Sequence, residues 1–347
     1  MITQEDYYSL EGYANYSLLK KVATSGNLAF LEPEEKEISW KLQNTFDIGK
    51  ILERYFLEDR DLSYIRIDNT KNLTATTDIL FKSLLAYLKE QGVSSTKELE
   101  DSDIINFIKE QGLWDNIKNK DILLERAAPA IEKVNFYLSL KEGDVLAVPE
   151  IFDIIKKADD ALLDYPEVRK YLYPEEGIEV LTQFPIVIDF DFDSSGLLPS
   201  KGLLDRVLID HKNRVISIVD FKTTESRVEE FMRNFYMHKY YYQIPFYMML
   251  FGEYLAKERP DVLEYAMEGL FVVISKSMPE IPAVYKINAQ WFEKAFVGWI
   301  NKAGYRIKGI SELMHEINWY KNIGGTRLSY DLAINDNVII VEEDWYE

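Results

Sequence analysis

The chain has 347 residues, of which 47% are hydrophobic and 29% charged, and it carries a net charge of -19. This composition is typical of a globular protein that buries a large core, as one elaborated domain or two small ones. The absence of cysteine excludes disulfides, cysteine-ligated zinc and cysteine-held iron–sulfur clusters. The acidity argues against a general nucleic-acid coat protein. Without a signal sequence or an apolar run of about 18 residues, we expect a cytoplasmic protein with no membrane partner.

Hydrophobic periodicity predicts helices first and strands later in the chain. The predicted helices in the first half cover residues 38–58, 76–91, 103–111, 119–140 and 151–171. Strands are predicted at 178–192, 202–210 and 214–222, then a helix at about 228–257 with a kink at Pro245, strands at 268–276 and 283–287, and an amphipathic helix at 289–315. The helix between strands 214–222 and 268–276 fits a crossover to a parallel neighbour.

These elements predict an α/β or α+β fold with a mixed central sheet flanked by helices. We expect one domain over residues 1–347, with a mostly helical insertion at 60–175 and the core of the sheet at 176–290.

Three charged residues interrupt two apolar strands: Asp205 in the first and Asp220 and Lys222 in the second. Because successive side chains of a strand face opposite ways, Asp220 and Lys222 share a face and Phe221 points into the packing. A turn centred on residues 211–212 would pair residue 205 with residue 218 and place Asp205 on that same face. A turn longer by one residue would put Asp205 on the opposite face.

The three charges need a partner, because both strands are apolar on both faces. Two carboxylates about 4 Å apart repel by about 4 kcal/mol at an effective dielectric near 20, which favours a cation between them. An all-oxygen ligand set favours Mg²⁺ or Mn²⁺, and such a site can activate water against a phosphodiester. The alternative is a structural salt bridge between Lys222 and the two aspartates.

The order of these motifs resembles the PD-(D/E)XK nuclease superfamily, with its restriction-endonuclease-like core, and within it the RecB/RecE-like and phage lambda-type exonucleases. The family places an acid at the end of one strand and Asp/Glu-x-Lys on the next, matched here by Asp205 and by Asp220-Phe221-Lys222. RecB-like members add Gln-x-x-x-Tyr on the following helix, matched by Gln243 and Tyr247, whose spacing places both on one helix face. The matches span roughly residues 46–250 and make 176–290 the catalytic core.

The resemblance implies further metal ligands. A Gly-x-x-x-His motif on an upstream helix is matched by Gly49 and Glu53, so we expect Glu53 to be a variant ligand. The alternative is a solvated helix residue. An acid commonly opens the strand before the hairpin, where Glu179 stands, and the family pattern adds the backbone carbonyl of Phe221.

The resemblance also implies roles for the other residues. Lys222 would orient or deprotonate the attacking water or balance charge on the phosphate, and Gln243 and Tyr247 would bind the phosphate or brace Lys222. The candidate contacts to the DNA backbone are arginines, which can bind phosphate through two hydrogen bonds, although each could be an ordinary surface residue: Arg206, Arg227 and Arg233.

The function implied by the resemblance is that of a Mg²⁺- or Mn²⁺-dependent DNA exonuclease acting on double-stranded ends in phage-type recombination. The resemblance further implies a homo-oligomer and a single-strand annealing protein as partner. The alternatives are a structure-selective or single-strand endonuclease of the same fold and a non-catalytic DNA-binding or interaction module. The family branches with an iron–sulfur cluster are excluded by the missing cysteines.

Overall fold

The computed structural model describes residues 2–30, 40–70, 73–191 and 197–324. In chain order, the helices are α1 (Gln4–Ser9), α2 (Tyr16–Ser25), α3 (Trp40–Leu57), α4 (Ala75–Glu90), α5 (Asp101–Glu110), α6 (Lys120–Leu138), α7 (Glu150–Ala161), α8 (Pro166–Leu172), α9 (Phe231–Met237), α10 (Gln243–Glu258), α11 (Ala289–Val297) and α12 (Ile310–Trp319). The strands are β1 (Ile65–Ile67), β2 (Val145–Ala147), β3 (Ile178–Asp191), β4 (Leu197–Asp210), β5 (Val215–Thr224), β6 (Ala266–Ser275), β7 (Ala283–Ile287), β8 (Trp299–Ile300) and β9 (Arg306–Ile307). Among the described residues no helix combines the length and the apolar character that a membrane span requires.

Two compact units make up the chain. The first comprises Met1–Ser39, Gly49–Arg60 and Ile154–Glu347, and the second comprises Trp40–Ile48 and Asp61–Asp153. Within the second unit, α4, α5 and α6 share a core that includes the buried residues Leu84, Ile108 and Val134, and β1 pairs with β2 in parallel.

The first unit contains a five-stranded sheet in the order β3-β4-β5-β6-β7. Strands β3, β4 and β5 pair antiparallel, β5 and β6 pair parallel, and β6 and β7 pair antiparallel. Helices lie between β5 and β6, so the expected crossover to a parallel strand is confirmed. The mixed central sheet with flanking helices confirms the expected fold class.

The register of the β4–β5 hairpin differs from the predicted one by two residues. Asp210 pairs with Val215 instead of facing Asn213, because the turn has four residues. The Asp210 carboxylate accepts a hydrogen bond of 2.8 Å from the backbone N–H of Asn213 and so closes this turn. Since the side-chain period of a strand is two, the shift leaves Asp205 on the same face as Asp220.

The helix predicted over residues 228–257 is interrupted. Helix α9 ends at Met237, Lys239 adopts a left-handed backbone conformation with φ of 56°, and α10 begins at Gln243. Pro245 therefore lies in the first turn of α10, where a backbone N–H has no helical acceptor in any case. Proline is tolerated at this position, so the reason for predicting a kink no longer applies.

Two other predicted helices are also divided. The segment 151–171 forms α7 and α8, with Pro166 at the start of α8, where proline is favoured. The segment 289–315 forms α11 and α12, separated by the β8–β9 hairpin. Three glycines fall in this separating segment (Gly298, Gly304 and Gly309), and each lowers helix stability by about 1 kcal/mol.

Helix α10 packs directly onto the sheet. A Cβ atom on Gly202 of β4 would lie 2.6 Å from Leu250 Cδ1 and 3.4 Å from Tyr247 Cδ1, so only glycine allows this approach. The close contact fixes the depth at which α10 presents Gln243 and Tyr247 to the sheet.

Candidate active site

The β4–β5 ladder ends just before the predicted acids. Its last backbone pair is Arg206 with Val219, and beyond it the Asp205 carboxylate accepts a hydrogen bond of 2.9 Å from the backbone N–H of Phe221. A side chain thus takes the place of a ladder partner. The Asp205 carboxylate is held against β5 by this bond.

Asp220 and Lys222 share one face of β5, as predicted. The Lys222 ammonium forms a short ion pair with Asp220 Oδ2, and its Nζ lies 3.5 Å from the Phe221 carbonyl oxygen and 5.2 Å from the centre of the Tyr240 ring. The Phe221 ring packs on the other face, 5.8 Å from the ring of Phe56. Part of the alternative interpretation, the salt bridge between Lys222 and Asp220, is therefore present.

Helix α10 adds an amide to this cluster. Gln243 Nε2 donates hydrogen bonds of 2.7 Å to Asp220 Oδ1 and 3.3 Å to the Tyr247 hydroxyl. Gln243 therefore braces Asp220 and not Lys222, and the alternative expectation, binding of the phosphate, stays a prediction. Gln243 Oε1 is buried and accepts no hydrogen bond from any described residue, which leaves an acceptor free inside the site.

Glu53 reaches the same cluster from α3. A Cβ atom on Gly49 would lie 3.2 Å from Thr223 Oγ1, so glycine lets α3 approach β5 one turn before Glu53. Gln183 Nε2 donates a hydrogen bond of 2.9 Å to Glu53 Oε1. Glu53 is half-buried, and burial and the nearby charge of Asp205 raise its pKa to about 7, so it is not a solvated helix residue. Its role as a metal ligand stays a prediction.

The cluster has too little positive charge for its acids. Burial raises the pKa of Asp220 to about 8, with Lys222 opposing the shift and Asp205 adding to it, and burial also raises the pKa of Asp205. Burial alone lowers the pKa of Lys222, but Asp220 and Asp205 together hold it above its usual value. Lys222 is one cation beside three acids, so the fully ionised cluster would carry excess negative charge, which a further cation would neutralise.

The donor atoms fit a hard divalent cation by their chemistry. Asp205, Asp220, Glu53 and the Phe221 carbonyl offer oxygen only, which suits Mg²⁺ or Mn²⁺. In the described ranges no three acidic or histidine side chains are already arranged as a metal-binding group, and the Lys222 ammonium forms an ion pair with Asp220 Oδ2. The shortage of positive charge and the free Gln243 Oε1, which can accept a bond from a coordinated water, support the fit.

Glu179 is not brought to this site, which corrects its expected role as a metal ligand. It pairs with Ile209, four residues along β4 from Asp205 and so about 13 Å away. Its carboxylate accepts a hydrogen bond of 2.8 Å from Arg259 and contacts His211 Nε2 at 3.0 Å. The Arg259 and His211 contacts lower the pKa of Glu179.

Arg206 is buried in the fold, which corrects its expected role in binding DNA. Its side chain is buried, and the guanidinium donates to the carbonyl oxygens of Leu57 and of Leu172, the latter at 2.6 Å. Arg206 therefore ties α3 and α8 to the sheet. Arg227 lies 3.2 Å from Glu229 and Arg233 is exposed on α9; for both residues the contact with DNA stays a prediction.

Helix α2, which the sequence reasoning did not identify, also borders the site. Its start is capped by Asn15, which accepts a hydrogen bond of 2.9 Å from Leu18 N–H. The Tyr16 hydroxyl donates to the His238 carbonyl at 2.9 Å, and burial and the charge of Lys222 lower the pKa of Lys20. The cap and the amphipathic pattern could have predicted the helix, but nothing local could have placed it beside Lys222.

Comparisons with known proteins add little to this geometry. No protein-family model and no curated protein sequence matches the chain. Among solved structures, the chain is similar to a crystal structure described as "Putative exonuclease" from Eubacterium rectale, with 11% identity, a TM-score of 0.36 and coverage of 98% of this chain and 88% of that one. A similarity of this size does not determine function.

Proposed function

We propose that the chain is a divalent-metal-dependent nuclease that hydrolyses DNA phosphodiester bonds, as an exonuclease acting on double-stranded ends. The supporting observation is one connected polar cluster, in which Asp205, Asp220, Lys222 and Gln243 meet from two strands and a helix, with Glu53 beside them. The preference for duplex ends, phage-type recombination, a homo-oligomer and a single-strand annealing partner rests on the order of motifs shared with lambda-type exonucleases.

The acids would hold the ion. Asp205, Asp220, Glu53 and the Phe221 carbonyl provide oxygen ligands for Mg²⁺ or Mn²⁺. When bound, the ion lowers the pKa of a coordinated water and neutralises charge on the phosphate.

In the metal-free protein Lys222 supplies positive charge and is not a free base. Its pKa is held above the usual value by Asp220 and Asp205, so the side chain is an ammonium at neutral pH. An ammonium can stabilise the negative charge that develops on the phosphate and can orient water through its N–H groups, but it has no lone pair with which to take up a proton.

Gln243 has two roles in this proposal. Its Nε2 fixes the Asp220 carboxylate, and its buried Oε1 has no donor among the described residues. The free Oε1 can accept a hydrogen bond from the water that attacks the phosphate and so orient that water.

The test is digestion of end-labelled linear duplex DNA, with covalently closed circular duplex as a second substrate. We expect the wild-type protein to degrade the linear form in Mg²⁺ but not in EDTA, and Lys222→Ala to abolish the activity. Lys212→Ala is the matched control, because Lys212 lies exposed in the β4–β5 turn.

Each other result favours a different function. Degradation of the circle would replace the exonuclease by an endonuclease. Inertness toward every DNA form, with the fold intact, would favour the non-catalytic binding module.

A further inference from the structure

Four basic residues and one histidine form a line that leads away from the active site: Lys20, His238, Lys239, Lys308 and Arg306. We call this line the basic track. In a chain of net charge -19, basic side chains without an acidic partner are informative. Within the described ranges, neither Lys20 nor Lys239 has a carboxylate within ion-pair distance.

The first part of the track lies beside Lys222. The Lys20 ammonium is 5.5 Å from the centre of the Tyr16 ring, and Tyr16 is bonded to the His238 carbonyl. Burial and the charge of Lys20 lower the pKa of His238, just as burial and the charge of Lys222 lower that of Lys20. The contacts link Lys20 to His238 through Tyr16, and Lys239 follows His238 in the chain.

The second part of the track surrounds a cavity of about 280 Å³. Lys239, Arg306 and Lys308 line it, and Val22 to Thr24 of α2 form part of its wall. Lys239 projects from the left-handed turn between α9 and α10, and Lys308 lies 3.0 Å from Glu316. Arg306 is paired with Glu312, so among the described residues Lys239 is the base of the cavity wall that has no carboxylate within ion-pair distance.

Lysines that are half-buried, close to like charges and without acidic partners are destabilising unless an anion joins them. The phosphates of a nucleic-acid strand are such anions, spaced regularly along the strand. The cavity is small compared with sites for drug-sized ligands, of about 300–1,000 Å³, and its size suits one phosphate with its sugar.

We propose that the basic track binds the phosphate backbone of the DNA strand being cut, with Lys20 near the reacting phosphate and the cavity holding another phosphate of the same strand. This inference rests on the proposed function and identifies the surface that carries the substrate.

The test measures binding of a labelled duplex oligonucleotide in EDTA. Fluorescence anisotropy is the readout, and the measurement is repeated at several salt concentrations. We expect Lys239→Gln and Lys20→Gln each to weaken binding about three- to tenfold and to reduce the slope of log K against log salt by about 1. The matched controls are Lys302→Gln, exposed in the hairpin that carries Arg306, and Lys21→Gln, exposed on α2 beside Lys20; both should bind about as the wild type does.

Folding is checked by thermal unfolding of each variant. If Lys239→Gln unfolds early, Lys239→Asn replaces it, because asparagine tolerates the left-handed conformation. Equal binding by the track variants and their controls would overturn the inference.

The same proteins assayed with linear duplex in Mg²⁺ separate the two proposals. If the wild type cleaves DNA and the track variants bind DNA as tightly as their controls do, the proposal of the basic track is wrong and the proposed nuclease function stands. If the track variants bind DNA more weakly than their controls but no protein cleaves it, the proposed nuclease function is wrong and the track remains a DNA-binding surface. Absence of any binding and cleavage defeats both.

Discussion

The acidic residues at the two ends of the β4–β5 hairpin differ in how far basic side chains balance their charge. Near the turn, Glu179 is bonded to Arg259 and His211, and Arg259 also binds Asp261 at 3.0 Å. At the other end, Asp220 is fully buried and shares the cation Lys222 with Asp205. Accordingly, the pKa of Glu179 is lowered and that of Asp220 is raised to about 8.

The difference teaches which acids are available for chemistry. An acid whose charge is balanced by basic side chains stabilises the fold, and its carboxylate is not available to bind a ligand. Buried acids that exceed the nearby bases are unfavourable in the free protein, and a bound cation relieves them. The comparison therefore indicates a structural role for the acid at the turn end and supports the proposal of a metal site at the other end.

The largest expected effect comes from exchanging one carboxylate for an amide at each end. Asp220→Asn should lower the rate of duplex degradation about 100- to 10,000-fold, the range for loss of a group that acts on the reacting atoms. Asp261→Asn makes the same chemical change at the turn end and should leave the rate within about twofold. Initial rates of release of an end label measure both.

Two outcomes would break the assignment. Equal losses in Asp220→Asn and Asp261→Asn would mean that the ends do not differ in function. Full activity of Asp220→Asn would remove the central ligand from the site.

The second effect is stabilisation by the metal. At a Mg²⁺ concentration about 100 times its dissociation constant, binding to the folded state adds about 2.7 kcal/mol, which raises the melting temperature by several degrees in a protein of this size. Asp261→Asn should keep this rise and Asp220→Asn should lose it. Thermal unfolding with Mg²⁺ and with EDTA gives the comparison, and an undiminished rise in Asp220→Asn would place the ion elsewhere.

The third effect is the pH dependence of stability in EDTA. The pKa values of Glu53 and Asp220, about 7 and about 8, exceed those of the unfolded chain, so the folded state binds more protons. The stabilisation from these protons is full below about pH 4 and is lost as the pH rises through the folded values. The free energy of unfolding should therefore fall on the order of 2 kcal/mol between about pH 5 and about pH 8.

Glu53→Gln tests this dependence, because glutamine cannot titrate. Urea denaturation at the two pH values should show a smaller fall in the variant than in the wild type. If the free energy of unfolding falls equally in the variant and the wild type, Glu53 does not bind one of the extra protons of the folded state.

The features that the sequence predicted are those set by local repeats. Strand alternation placed Asp220 and Lys222 on one face, and the four-residue spacing placed Gln243 and Tyr247 on one side of α10. Asp205 stayed on the right face although the register was wrong by two residues, because an even error preserves the face.

The features that the sequence did not predict depend on partners far along the chain. Glu179 matched a family position, but Arg259, 80 residues away, neutralises it. Arg206 was a candidate for a phosphate contact, but its guanidinium donates a hydrogen bond to the carbonyl of Leu57, 149 residues away. Gln183 and Lys20 reach the site only through tertiary packing, and no local pattern marks them.

The smallest expected effect is that of Glu179→Gln on stability. The pKa of Glu179 is lowered by hydrogen bonds from Arg259 and His211, so the ionised form is stabilising, fully above about pH 4.5, and this contribution disappears as the pH falls through the lowered value. The ion pairs are partly exposed, with 25% of the Arg259 side chain and 31% of the Glu179 side chain accessible, so the loss at neutral pH should be only about 1 kcal/mol.

Urea denaturation at about pH 7 and about pH 3 measures the loss, which should be smaller at the lower pH. The rate of DNA degradation by folded Glu179→Gln should equal that of the wild type. If that rate fell while the stability was unchanged, an acid with its own partners would be serving the reaction, and the distinction between the two ends of the hairpin would be wrong.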